Sequence, residues 1–400
     1  MKNSIFIFFA AIAVVGCFST GAAAPASPAP PAPPADVSPR LEVVFVLDTT
    51  SSMTGLIEGA KQKIWTIARH MVSGRPSPSI KLGLVGYRDR GDEYVTRGFD
   101  LTTDVDAIYG HLMALRAVGG GDQPESVNQA LHEAVAKLSW SRDASTLKIV
   151  FLVGDAPPHM DYPDDVKYSE TAQLARRAGI IINTIQCGSH AITTPIWREI
   201  AAMGQGAFVQ IDQSGGMRTI STPVDAELSR LSRELTRTVV PYGDAAKQTE
   251  VRSKSAAAGT ADADRVVFLN IDRAEFGAKV VVTGEGELIW DVVNHKVKLE
   301  DIPESDLPVL MKTMSPEQRT AFVAEQFTKR KELQIQVDEL ATQRAAHLKT
   351  EMDKLAASGN ADSFDLKVVD MLQEQARRVG IEYEIAIPGS AKSAKGTSTP

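Results

Sequence analysis

The sequence predicts a doubly wound α/β domain over residues 41–243, then a mainly helical C-terminal region with one long, coiled-coil-like helix. Three observations predict it. Short, almost continuous apolar runs recur through the first half of the chain, the mark of strands buried on both faces. Between them, apolar residues return every three or four positions, the period of a helix packed on one side. In the second half, no Gly or Pro interrupts residues 317–356, so a helix can run there unbroken.

The elements follow in order. Lys2, the apolar stretch Ile5–Val15 and the small residues Gly21–Ala24 read as a secretory signal over residues 1–24. Val14-Val15-Gly16-Cys17 has the form of a bacterial lipobox, with Cys17 as the lipidation site; the other reading is an ordinary signal cleaved near Ala23. Both expect an exported protein of the cell envelope or periplasm, membrane-anchored as a lipoprotein in the first case, secreted in the second. Residues 25–40 hold seven of the 21 prolines and read as an extended linker, either a stalk or a plain spacer.

Leu41–Leu47, Ile80–Tyr87, Leu147–Val153, Ile180–Gln186 and Ala207–Asp212 are the buried-strand candidates. Met53, Leu56, Ile57, Ala60, Ile64, Ile67, Ala68 and Met71 mark one helical face ending before Gly74. Ser126–Leu138, Ser169–Ala178 and Pro195–Met203 are further helices, and Asp225–Val239 closes the domain. Strands alternating with helices imply a parallel sheet covered on both faces, whose ligands sit beyond the carboxyl ends of the strands.

Residues 244–264, rich in Ala, Ser, Lys, Thr and Gly, read as a linker, and 265–312 as a small, mostly helical connector. Residues 313–388 form the helical region. Its long helix opens at Ser315-Pro316-Glu317-Gln318, a capping box with Pro in the first turn, and would span about 60 Å at 1.5 Å per residue. Leu333, Val337, Leu340, Leu348, Met352 and Leu355 form its apolar stripe, interrupted at Arg344. Either an internal hairpin with Phe364–Val379 covers that stripe, or a partner helix does, as in a coiled-coil homo-oligomer. Residues 389–400 read as a disordered tail.

Chemistry is to be sought just after the strands. Asp48-Thr49-Thr50-Ser51-Ser52 follows the first, Gly154-Asp155-Ala156-Pro157-Pro158 follows Leu147–Val153, and Gly119-Gly120-Gly121-Asp122-Gln123-Pro124-Glu125 opens a helix between them. Asp48, Thr50 and Ser52 point the same way if their turn is extended. Carboxylates and hydroxyls so placed make a hard-oxygen donor set suited to Mg²⁺. His159 is the one imidazole near these loops, so zinc and copper are poor candidates for that set. The same three side chains could instead cap the following helix.

These segments resemble a von Willebrand factor type A domain. Asp48-x-Thr50-x-Ser52 is similar to the metal-ion-dependent adhesion site of that family, and Asp155 to the aspartate after its fourth strand. Tyr87–Glu93 and Gly154–His159 look like those of bacterial exported members. The resemblance implies a mostly parallel sheet with one short antiparallel edge strand, for which Tyr94–Leu101 is the candidate. It also implies Mg²⁺, or Mn²⁺ or Ca²⁺, held by Asp48, Thr50, Ser52 and Asp155. Where the family's second loop supplies a Thr, this chain offers Asp122 as the contributor, with Glu125 close behind; spacing leaves open which faces the ion. In adhesive members the open metal position takes an acidic residue of the partner.

Other classes find little support. Lys and Arg number 43 against 50 Asp and Glu, a net charge of −7, which argues against a nucleic-acid partner. Two cysteines, Cys17 and Cys187, exclude a disulfide framework and a multi-Cys metal centre. Gly119–Gly121 lacks the Lys-Ser/Thr of a phosphate-binding loop, and no nucleophile–base pair accompanies the site, so no enzyme is expected. The expected function is metal-dependent protein binding at the cell envelope. The alternative is an envelope scaffold whose helical half binds the partner while the metal only stabilises the first domain. Acidic residues such as Asp89, Asp161, Asp164 and Asp165 read as solvated loops or a second cation site at the rim.

Overall fold

The computed structural model describes residues 39–72, 74–76, 78–211, 221–259, 285–357 and 363–383. The expected signal, Cys17, most of the proline linker, the 389–400 tail and part of the 265–312 connector lie outside the described residues. Among the described residues, the strands are β1 (Arg40–Asp48), β2 (Ser79–Tyr87), β3 (Thr96–Thr102), β4 (Thr146–Gly154), β5 (Ile180–Cys187) and β6 (Gln205–Ile211). They form one sheet in the order β3-β2-β1-β4-β5-β6. Every pairing is parallel except β2 with β3, which is antiparallel. The strand order reverses at β1, which lies between β2 and β4, and in such sheets the crevice for ligands opens at that switch point.

The covering helices are α1 (Ile57–Val72), α2 (Val105–Ala114), α3 (Val127–Ala136), α4 (Tyr168–Ala178) and α5 (Thr193–Met203). Because side chains alternate along a strand, β1 feeds two cores. Leu41, Val43, Phe45 and Leu47 pack with Ile64, Ile67 and Met71 of α1 on one face. Val44 and Val46 pack with Leu131 of α3, Ala172 of α4 and Trp197 of α5 on the other. Burying a Leu, Ile, Val or Phe in this way contributes about 1.5–3 kcal/mol, which explains why nearly every residue of the strand is apolar.

The second half holds α6 (Asp225–Arg237), α7 (Ala245–Gly259), α8 (Leu288–Val293), α9 (Val309–Lys312), α10 (Pro316–Ala357) and α11 (Ser363–Ala376). Residues 245–259 are a helix rather than the expected linker. Ala, Lys and Gln are good helix formers, Val251 is buried, and Lys254 pairs with Asp104 at the start of α2. The capping box of α10 forms as read: Ser315 N–H donates to Gln318 Oε1 at 2.8 Å and Gln318 N–H to Ser315 Oγ at 3.3 Å. The described part of its stripe packs on α6. Leu333, Val337 and Leu340 pack on Leu228, Leu231 and Leu235 of α6. Arg344, which breaks the stripe, is buried with Nε donating to Asp225 Oδ1 at 3.0 Å. Helix α11 lies instead on the sheet, its Val368, Met371, Leu372 and Ala376 joining the first core. Gln375 and Asn183 of β5 bond reciprocally at 3.1 and 2.8 Å.

One buried ion pair ties the helical half together. Arg330 of α10 donates through Nη1 and Nη2 to the Glu287 carboxylate at 2.9 and 3.0 Å, and through Nη2 to the Thr238 carbonyl at 2.8 Å. Glu287 also accepts from the backbone of Val240 and Trp290. Arg330→Ala would leave Glu287 buried without its counter-charge, and breaking such a pair costs about 3–5 kcal/mol. Urea denaturation of the full chain, followed by far-ultraviolet circular dichroism, should show that loss.

Candidate metal site at the carboxyl edge of the sheet

Asp48 closes β1 and is fully buried, as is Thr50 two residues on. Thr50 donates to Asp48 Oδ1 from both its backbone N–H, at 2.9 Å, and its hydroxyl, at 2.7 Å. Thr50 Oγ1 lies 3.0 Å from Ser52 Oγ, and Ser52 Oγ donates to Asp155 Oδ1 at 2.9 Å. Four expected residues from two loops are thus joined in one chain of carboxylates and hydroxyls, running from the buried Asp48 through the exposed Ser52 to the half-buried Asp155. The capping alternative is not what these side chains do: the turn Ser51–Gly55 begins at Thr50 with no side-chain cap, because the Thr50 hydroxyl is committed to Asp48.

The glycine loop sets the second wall. Ser51 N–H donates to the Gly119 carbonyl at 2.9 Å, and Val118 N–H to the Thr49 carbonyl at 3.0 Å. Gly120 has φ +77°, and a Cβ there would sit 3.0 Å from Glu125 Oε1 and 3.1 Å from Thr50 Cβ. Only glycine allows both the left-handed backbone and that approach. Glu125 is therefore the second-loop carboxylate beside Thr50. Asp122, the expected contributor, is exposed, with Oδ2 turned to 3.8 Å from His159 Nε2.

Acidic side chains converge here without a Lys or Arg partner among the described residues. Asp48, Glu125 and Asp155 have no Lys or Arg ion pair among the described residues, and Asp48 Oδ2 and Glu125 Oε2 are buried without a hydrogen-bond partner. Burial, then the neighbouring Asp155, pushes the Asp48 carboxyl up to about 7. Burial, then Asp48 and Asp89, pushes Glu125 up to about 9. Asp155 is also raised, by burial. Beneath them the Tyr87 hydroxyl is buried and unpartnered, its acidity suppressed by burial and by these carboxylates. A Cβ at Gly154 would meet that hydroxyl at 2.5 Å and Asp48 Oδ2 at 2.9 Å. Oxygen donors with unpartnered lone pairs and no Lys or Arg beside them fit a hard divalent ion, whose binding would displace their protons. Tyr87 and Gly154 were not singled out from sequence as site residues, because Tyr87 reads as the end of an apolar strand and Gly154 as the first residue of the loop after one.

Residues 42–222 match the family described as von Willebrand factor A domain. Over 126 residues the chain is 34% identical to human von Willebrand factor A domain-containing protein 7, covering 31% of this chain and 13% of that protein. The rat counterpart is 32% identical over 123 residues, covering 31% and 13%. The aligned stretch thus spans a small part of the curated relatives it matches. Among solved structures, the SpRpn10 VWA domain overlaps 44% of this chain and 89% of that chain, at 15% identity and a TM-score of 0.35. Proximal thread matrix protein 1 of the mussel byssus, with a zinc occupied MIDAS motif, overlaps 43% and 42%, at 17% and 0.33.

The raised carboxyls give a pH signature. A carboxyl whose folded-state value lies above its unfolded one favours folding when protonated. Its stabilising effect is full below about pH 4, Asp48's ordinary value being 3.8, and is lost as pH rises through about 7. In the chelator-treated chain, Asp48→Asn removes this loss. The melting temperature of the variant should exceed that of wild type by several degrees at about pH 8, with a smaller gap at about pH 5, since about 1 kcal/mol moves a domain of this size by roughly 2–4 °C. Differential scanning calorimetry at the two pH values checks this.

Proposed function

We propose that this chain, with its von Willebrand factor A domain over residues 42–222, is a metal-dependent protein-binding module. Domains of this family are typically non-catalytic binding modules that mediate protein interactions. The observation that carries the reading is the graded exposure of the donor chain. Asp48 and Thr50 are buried, Asp155 is half-buried and Ser52 reaches solvent, so the site is anchored from beneath and open above. Asp48 and Asp155 would supply charge to Mg²⁺ or Mn²⁺, Thr50 and Ser52 neutral oxygens, and Glu125 a further carboxylate from the glycine loop. The ion would supply a Lewis-acidic position for an acidic side chain of the partner.

The rim supports a protein partner. Val118, Met160 and Ile192 are large apolar side chains left 48%, 50% and 61% exposed. Val118 adjoins the glycine loop. Met160 follows His159, and Ile192 precedes Thr193, whose hydroxyl bonds the Asp155 carbonyl at 3.1 Å. Exposed apolar side chains around a polar centre are a feature of interaction surfaces. The signal-like residues 1–24 and the lipobox-like Cys17 support placing this module at the cell envelope.

A second reading has its own observation. Val309, Leu310, Phe327 and Ile335 are exposed on α9 and α10, so a scaffold that binds through its helical half is the competing assignment. Calorimetry with Mg²⁺ and Mn²⁺ on the full chain should show binding that Asp48→Ala abolishes. Metal-dependent capture of the envelope partner should be lost in Asp48→Ala, and also in Ile192→Glu with its metal affinity intact. Capture that survives both substitutions and falls with Leu310→Glu would establish the scaffold instead.

A further inference from the structure

We propose that Asp89, Asp122 and His159 form a second divalent-cation site, suited to Zn²⁺, beside the first. Three loops bring them together: Asp89 follows β2, Asp122 belongs to the glycine loop and His159 follows β4. One ligand atom from each lies within 4.8 Å of the others. His159 Nε2 is 3.4 Å from Asp89 Oδ2 and 3.8 Å from Asp122 Oδ2. Donors around a tetrahedral zinc, each about 2.0–2.1 Å from the metal, stand about 3.3–3.5 Å apart, so little closure is required.

The imidazole is prepared for a metal rather than merely near carboxylates. Its side chain is only 4% exposed, and Nε2 is buried without a hydrogen-bond partner. The other nitrogen, Nδ1, lies 2.7 Å from Asp161 Oδ1. A carboxylate holding the far nitrogen fixes the tautomer that leaves the Nε2 lone pair free, the usual support of a metal-bound histidine. Tyr162 stacks on the ring with centroids 4.0 Å apart. Asp89 is positioned in turn, accepting from Ser126 Oγ at 2.8 Å and Tyr162 Oη at 2.9 Å. One nitrogen with two carboxylates favours zinc over Mg²⁺, which prefers oxygen alone. Asp122, 67% exposed at its side chain, leaves the fourth position facing solvent.

The test uses the full chain carrying Asp48→Ala, which disables the first site, stripped with chelator and titrated with Zn²⁺ alone by calorimetry. One Zn²⁺ per chain is expected. Adding Asp122→Ala, an exposed change that spares the fold, should weaken it at least tenfold, and adding His159→Asn should abolish it. Asp161→Asn should weaken it about 10–100-fold through the tautomer. Wild type in excess Mg²⁺ should bind the same single Zn²⁺, which covers the case in which Asp48→Ala fails to fold. Absence of Zn²⁺ binding in both chains, or binding indifferent to Asp122→Ala and His159→Asn, would overturn the proposal.

Discussion

Asp48, Asp155 and Glu125 converge at the carboxyl edge of the sheet with no Lys or Arg ion pair to any of them among the described residues, His190 alone acting on Asp155, and much of the surrounding structure answers to that convergence. Carboxylates out of water are tolerated only when neutralised by protons, hydrogen bonds or a cation. Here hydrogen bonds do part of the work: the Thr50 backbone and hydroxyl both turn to Asp48, and Ser52 turns to Asp155. The remainder falls on Asp48 Oδ2 and Glu125 Oε2, which point at no protein donor. A side chain added at Gly120 or Gly154 would crowd the same small volume. The space is therefore kept by backbone choice as well as by charge.

The sheet explains why this crowding is possible at all. Parallel strands deliver their following loops to the same edge, and the reversal of winding at β1 separates the loops after β1 and β4 enough for side chains to meet between them. Both faces of the sheet are covered, one by α3, α4 and α5, the other by α1 together with α11 from the far end of the chain. The C-terminal helix thus adds a wall to the first domain rather than a separate arm. The long α10 is held by α6 and by two buried arginines. Such buried pairs contribute little net stability, yet Arg330 accepts only one arrangement of Glu287, Thr238 and the backbone around them. We read them as fixing register.

Much of this was legible in the sequence because it depends on local period and on residue type. The strand cores, the helices between strands and the spacing Asp48–Thr50–Ser52 follow from patterns a few residues long, whereas the edge strand near Tyr94–Leu101 and the place of Asp155 came from the family resemblance. What was not legible depends on contacts distant in sequence. Residues 245–259 lack an apolar stripe, and their helix is visible only once α2 and α6 lie beside it. Arg344 reads as a break in a seam until Asp225, 119 residues away, is seen opposite. The helix after residue 363 reads as a hairpin partner of α10 until Gln375 is seen opposite Asn183 of the sheet.

The choice between Asp122 and Glu125 shows most closely where spacing fails. They stand three positions apart, and both follow the same glycines. Their directions are set by left-handed conformations at Gly119 and Gly120, φ +81° and +77°, and by Asp92, whose Oδ2 accepts the Gly120 N–H at 2.8 Å. Asp92 in turn accepts the Asp89 N–H at 3.1 Å, so the loop after β2 and the glycine loop are braced together. That brace turns Glu125 inward, where its backbone carbonyl accepts the His159 N–H at 3.0 Å, and leaves Asp122 outside, facing the imidazole. One turn of chain therefore serves two acidic clusters in opposite senses. A change that alters Gly119, Gly120 or Asp92 must disturb both at once, whereas a change at Asp48 or at Asp161 touches only its own.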